Sequence, residues 1–148
     1  MYDMIIRAGR QGNGQLIDIA IQDGKIAALG QLPAAAEAKR TLTLAEQVHV
    51  SAGWIDGHTH CYPASPIYQD EPDKVGVESG VTTVIDAGST GADDVDAFQR
   101  LAAGCKTRVH ALLNISRIGL LRQNELADPA DIDPALARAA IRRHPSFI

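Results

Sequence analysis

Paired cysteines, long apolar runs and an excess of basic charge are all missing from this sequence, and each absence closes off a class of protein. Cys61 and Cys105 are its two cysteines and have no paired spacing. A disulfide framework is therefore unsupported, and a reducing compartment is the default. No apolar stretch approaches the roughly 20 residues that a membrane span needs. The start, Met1-Tyr2-Asp3-Met4-Ile5-Ile6-Arg7, lacks the basic region and long apolar run of a signal peptide. The expected location is cytoplasmic. A formal net charge of −4 offers no electrostatic footprint for nucleic acid or an anionic membrane. Arg142, Arg143 and His144 form the one basic cluster, read as a helix end where cations complement the dipole. There is no short-period repeat and no low-complexity tract. What is present is a globular composition of 148 residues, 45% apolar and 22% charged.

Residues 1–52 read as a small antiparallel β unit. Met4-Ile5-Ile6 is a short apolar strand, and Leu16–Ile21 and Lys25–Gly30 flank Asp23-Gly24. Asp-Gly between apolar runs is a hairpin signal, because both turn residues must tolerate positive φ. Thr41–Leu44 and Val48–Val50 look like further strands, with an Ala-rich loop or helical turn before them.

The pattern changes at residue 53, and 53–148 reads as a second domain of alternating strands and helices. Strands are expected at 54–61, 81–88 and 109–115, with a strand beginning at 145–148. Helices are expected at 73–79 ending on Gly80, at 93–103 with a Thr90/Asp93 capping box, and from Asp133-Pro134 to about Arg143. Strands alternating with helices imply βαβ units and a parallel sheet with right-handed crossovers.

Side chains alternate across a strand. On that parity Trp54, Asp56, His58 and His60 share a face, as do Thr82, Val84, Asp86 and Gly88, and His110, Leu112, Asn114 and Ser116. The opposite faces of the second and third strands are nearly all apolar and are expected to pack on helices. Polar groups thus gather at the C-terminal ends of three strands, where parallel sheets and barrels bind ligands. Asp86, Asn114 and Ser116 are candidates for the rim of a site, or else hydrogen-bond loop backbone. His110, at the other end of its strand, reads as structural, and Cys61 as packing.

His58 and His60 lie two apart. On a strand their Cβ atoms stand about 6.5–7 Å apart on one side, and two imidazoles can converge from there on one ion. Asp56 points the same way but deeper, either orienting a ligand imidazole or satisfying another buried polar group.

The run Gly53-Trp54-Ile55-Asp56-Gly57-His58-Thr59-His60 resembles the signature that ends the first barrel strand in the amidohydrolase superfamily, with Ala52 where proline is common. Gly80–Ser89 is similar to the dihydroorotase-like and deacetylase-type subgroup, and so is the third strand ending Leu113-Asn114-Ile115-Ser116. The resemblance implies an α/β fold: a (β/α)8 TIM-type barrel, here incomplete at about three and a half βα units, preceded by part of a β-sandwich. It implies a metal-dependent hydrolase acting on an amide, cyclic amide or acetyl/acyl bond through one or two divalent metals, most often zinc. It maps His58 and His60 as metal ligands. The remaining ligands, and the Asp that serves as general base and acid, are implied on later strands, beyond this chain.

A full barrel takes about 250 residues, far more than follow Gly53. The expectation is therefore a truncated portion that alone lacks hydrolase activity and binds zinc weakly. A small-molecule substrate is expected, with neither nucleic acid nor membrane as partner, and a homo-oligomer of the full-length form is compatible. The alternative is a non-catalytic protein that keeps the fold as a structural or assembly partner. A nucleotide-binding module is disfavoured, because Gly12-Asn13-Gly14 lacks both the third glycine and a following helix.

Overall fold

Four strands make up the sheet of the unit Met1–Ala52: β1 (Tyr2–Arg10), β2 (Leu16–Gln22), β3 (Lys25–Gly30) and β4 (Ala38–Thr43), in the order β3-β2-β1-β4. They are seen in a computed structural model that describes every residue except Glu46 and Glu125. Asp23 and Gly24 take φ of 52° and 70°, as a two-residue turn between twisted strands requires, and Gln22 pairs with Lys25 across it. Ile5 and Ala20 pair in register and are fully buried. Asp18 braces the bulge in β1, accepting from the Arg7 guanidinium at 2.7 Å and from the Ala8 N–H at 3.0 Å. Gly12-Asn13-Gly14 is the turn into β2, not a phosphate cradle before a helix.

Two expectations fail in this unit. The sheet is mixed, because β4 runs parallel to β1; the long β3–β4 connection lets the chain return in either sense, and no local pattern records which. Val48–Val50 makes only an isolated bridge between His49 and Arg10, too short to propagate a ladder.

In the unit Gly53–Ile148, β5 (Trp54–Thr59), α1 (Pro72–Val75), β6 (Val81–Ala87), α2 (Val95–Ala102), β7 (Arg108–Leu112) and α3 (Pro134–Arg143) follow in turn. The strands form a parallel sheet in the order β5-β6-β7. The expected helix over 73–79 is broken into α1 and a 3-10 turn at Val77–Ser79. The break falls at Gly76, where a Cβ would lie 2.2 Å from the Thr107 hydroxyl. Gly80 then ends the segment in the left-handed region, φ 83°.

Helix α2 carries Val95 and Phe98 at a three-residue spacing, so both reach the sheet, and both are fully buried. Phe98 sits between Tyr62 and Phe147, with ring centroids 5.0 and 5.4 Å away. Burying a side chain of this kind contributes about 1.5–3 kcal/mol. Helix α3 begins where Asp133 accepts the N–H groups of Ala135 and Leu136, an N-cap worth about 1 kcal/mol. Its far end is tied to α2: Asp96 accepts from His144 Nε2 at 2.7 Å and from Arg143 at 3.0 Å.

The Thr90/Asp93 capping box does not form. Asp94 takes the N-cap position, Asp93 pairs with Arg117, and the Thr90 hydroxyl has no partner among the described residues. Strand β7 is shorter than its apolar pattern, so Asn114 and Ser116 lie in the loop beyond it. Residues 145–148 form a turn rather than a strand, with one sheet-like bond from the Ala111 N–H to the Phe147 carbonyl, 2.8 Å. No helix among the described residues is long and apolar enough to cross a membrane.

Candidate metal centre

Register decides which side of the sheet each residue serves. Val84 pairs with Val109 and Asp86 with Ala111, and partners in a parallel pair point the same way. Val84, Val109 and Ala111 belong to the buried cluster with Val95, Phe98 and Ala140, so this is the helix-covered side. The other side carries Ile55, Thr83, Ile85, Ala87, Arg108, His110 and Leu112, of which Ile55 and Leu112 are 67% and 59% exposed. For β6 this inverts the expected faces: Val84 and Asp86 lie inward, while Thr83, Ile85 and Ala87 lie on the open side.

Strand β5 changes parity partway along. Asp56 pairs with Val84, but Thr59 pairs with Asp86. Three steps on β5 match two on β6, a β-bulge spanning Gly57 and His58. The Asp56 carboxylate sits inside this bulge and accepts the His58 N–H at 3.0 Å. Asp56 therefore belongs to the helix side and Thr59 also faces it, which turns His58 and His60 to the open side. The expectation that Asp56 shares their face is corrected by the extra residue.

The two imidazoles are neighbours, their centroids 5.7 Å apart and their planes at 86°. Two rings bound to one tetrahedral zinc through single nitrogens have centroids about 5 Å apart, close to the separation of this pair. His60 is half-buried. Its Nδ1 lies 3.1 Å from the Ser89 hydroxyl, and its ring stacks on Tyr68 at 4.3 Å and 7°. Ser89 and Tyr68 carry no recognisable signal in the sequence. With Nδ1 engaged, Nε2 is the nitrogen left for an ion.

Asp86 is fully buried beneath the pair. Its oxygens accept the Cys61 N–H at 2.8 Å and the Ser89 N–H at 2.7 Å, so it joins the loop after β5 to the loop after β6. Asn114 does similar work one loop on, donating to the Gly88 carbonyl at 3.0 Å and accepting the Ser116 N–H at 2.9 Å. Ser116 is buried, and its hydroxyl has no partner among the described residues. Gly91 lets the loops after β6 and β7 touch, since a Cβ there would lie 2.1 Å from the Ser116 carbonyl oxygen. Of the rim candidates, Asp86 and Asn114 thus spend their polar atoms on loop backbone.

Cys61 is fully buried in the cluster with Val84 and Phe98, so it packs; burial, followed by the nearby Asp86 carboxylate, pushes its thiol up to about 12. Burial likewise raises Asp94, at the start of α2, to about 6. Among the described residues no group of three or more His, Cys, Asp and Glu side chains is placed to hold an ion. Two concavities, of about 520 Å³ beside Lys106 and Arg108 and about 570 Å³ beside Trp54 and Val81, lie at the start of the strands and touch neither histidine.

No protein-family model matches the chain. A protein named deacetylase from Enterococcus faecalis is 45% identical over 147 residues, covering 99% of this chain and 40% of the relative. A solved structure described as an adenine deaminase superposes with a TM-score of 0.90 at 44% identity, over 100% of this chain and 40% of that one. One described as a dihydroorotase gives 0.88 at 31% identity, over 98% and 40%. The chain thus spans about 40% of the length of each of these relatives.

Proposed function

The chain belongs to the amidohydrolase superfamily, and from that premise we propose that His58 and His60 are ligands in the divalent-metal centre, zinc by donor type, of a metal-dependent hydrolase. The observation that carries this is the pair itself: two imidazoles 5.7 Å apart on the open side of a parallel sheet, at the end of its first strand. That end of an α/β barrel is where ligands bind, and the three strands with their helices are proposed as its opening βα units.

A divalent ion held there supplies water that ionises near neutral pH and polarises a carbonyl oxygen. The residues of this chain hold and orient. His58 and His60 present ring nitrogens, and Asp56 fixes the backbone at His58. Asp86 keeps the loop carrying His60 against the loop carrying Ser89. The relatives' names differ in substrate, so the reading is limited to bond class: an acetyl or other acyl bond, an amide or a cyclic amide in a small molecule. Two imidazoles are half of a closed zinc coordination set, so residues 1–148 alone are proposed to bind zinc weakly and to turn over nothing.

Metal analysis of the purified full-length protein with His58→Ala and His60→Ala tests the reading. Each variant is expected to lose bound metal and hydrolysis together, and a double variant that keeps stoichiometric metal overturns it. Turnover by residues 1–148 with added zinc overturns the statement about the isolated stretch.

A further inference from the structure

His60 is held on two sides by residues from two different loops. Ser89, 2% exposed, places its hydroxyl 3.1 Å from Nδ1. Its own position does not depend on that contact. Its N–H donates to Asp86 at 2.7 Å, and its carbonyl accepts the Leu120 N–H at 2.9 Å. Tyr68 covers one face of the imidazole at 4.3 Å, nearly parallel. It stands in the loop after β5, which is pinned by Tyr62 against Phe98 and by Ser65, whose hydroxyl donates to the Leu120 carbonyl at 3.3 Å. Leu120 therefore bonds Ser89 through its N–H and, through its C=O, Ser65 of the loop that carries Tyr68. His58, by contrast, is exposed, and its ring meets His60 edge-on.

We infer that Ser89 and Tyr68 are positioning residues for His60, the hydroxyl fixing the imidazole's rotation through Nδ1 and the phenol ring fixing its plane, so that Nε2 is presented in one orientation. The inference rests on the proposed role of His60 as a metal ligand. A half-turn of the ring would break the Ser89 contact, and a rotation out of its plane would give up the stack, so the ligand's orientation is set before an ion arrives. Partners of this kind typically govern affinity by about 10–100-fold when removed.

The test measures zinc affinity of the metal-stripped purified protein by chelator competition, with the cobalt(II) absorption spectrum as a second readout. Ser89→Ala keeps both backbone bonds of residue 89 and is expected to weaken zinc about 10–100-fold and to alter the cobalt spectrum. Ser89→Thr, which restores the hydroxyl, should recover both. Tyr68→Ala should weaken binding, while Tyr68→Phe, keeping the ring, should leave it unchanged. Tyr68 is half-exposed, so its variants report even if residue 89 tolerates no change. Should His60→Ala weaken binding while Ser89→Ala and Tyr68→Ala match the wild type, the positioning role is overturned and the metal reading stands. Should His60→Ala bind zinc like the wild type, the metal reading falls, and the positioning role with it.

Discussion

Replacing Asp86 by alanine is the sharpest test of how the site is held together. Its carboxylate is fully buried and receives two backbone N–H groups, from Cys61 and Ser89. A hydrogen bond to a charged acceptor contributes about 1.5–3 kcal/mol, and a buried donor left unpaired costs about 1–3 kcal/mol. Two such losses, partly offset by no longer burying a carboxylate, give an expected destabilisation of about 2–4 kcal/mol. Asp86→Asn separates charge from geometry. Its single amide oxygen can serve one N–H, while its NH2 group meets the other donor head-on; the cost should be about 1.5–3 kcal/mol, although size is conserved. Denaturant unfolding gives the magnitudes, and hydrogen exchange gives the location, with the Cys61 and Ser89 amides expected to lose protection first. If both variants unfold within 0.5 kcal/mol of wild type and those amides stay protected, the bracing account is wrong.

Three further outcomes are expected. Asp96 is held below the usual carboxylate range, chiefly by the hydrogen bond from His144 and then by that from Arg143. Its contribution is thus complete above about pH 4 and is lost as pH falls through its lowered value; in acid titrations of stability Asp96→Asn should flatten that limb and leave neutral pH less stable than wild type. Cys61, buried and raised to about 12, should resist alkylation at pH 8 until the protein unfolds, and rapid native labelling read by mass spectrometry would contradict this. Gly91→Ala would drive a methyl against the Ser116 and Arg117 carbonyl oxygens, so it should cost about 1–3 kcal/mol and lower zinc affinity; a neutral effect on both would count against the close packing of those loops.

Local chemistry was legible in the sequence where one residue type had one physical use. Asp23-Gly24 announced its turn because both residues must take positive φ, and Asp133-Pro134 announced α3 because a carboxylate can cap and proline fits the first turn. The pair His58/His60 was legible because a two-residue spacing suits a strand end. Parity was not. Thr83-Val84-Ile85 is apolar or β-branched on both sides, so composition cannot say which side meets the helices. Asp86 stood open between the rim of a site and a partner for loop backbone, because the letter is the same for both and only the positions of the Cys61 and Ser89 amides tell them apart. The bulge at Gly57-His58 left one hint, the glycine itself. Ser89 and Tyr68 reach His60 through loops whose paths depend on Leu120, far along the chain.

The extra residue in β5 makes its two halves independent in direction. Below it, the strand's Asp56 faces the helices; above it, both imidazoles face away. In an unbroken ladder of the same sequence, strict alternation from Asp56 would instead send both rings into the space that Val95 and Phe98 fill. The side on which the histidines act is thus decided by one residue that goes unpaired in the ladder, and the same letters in a regular strand could not share this chemistry.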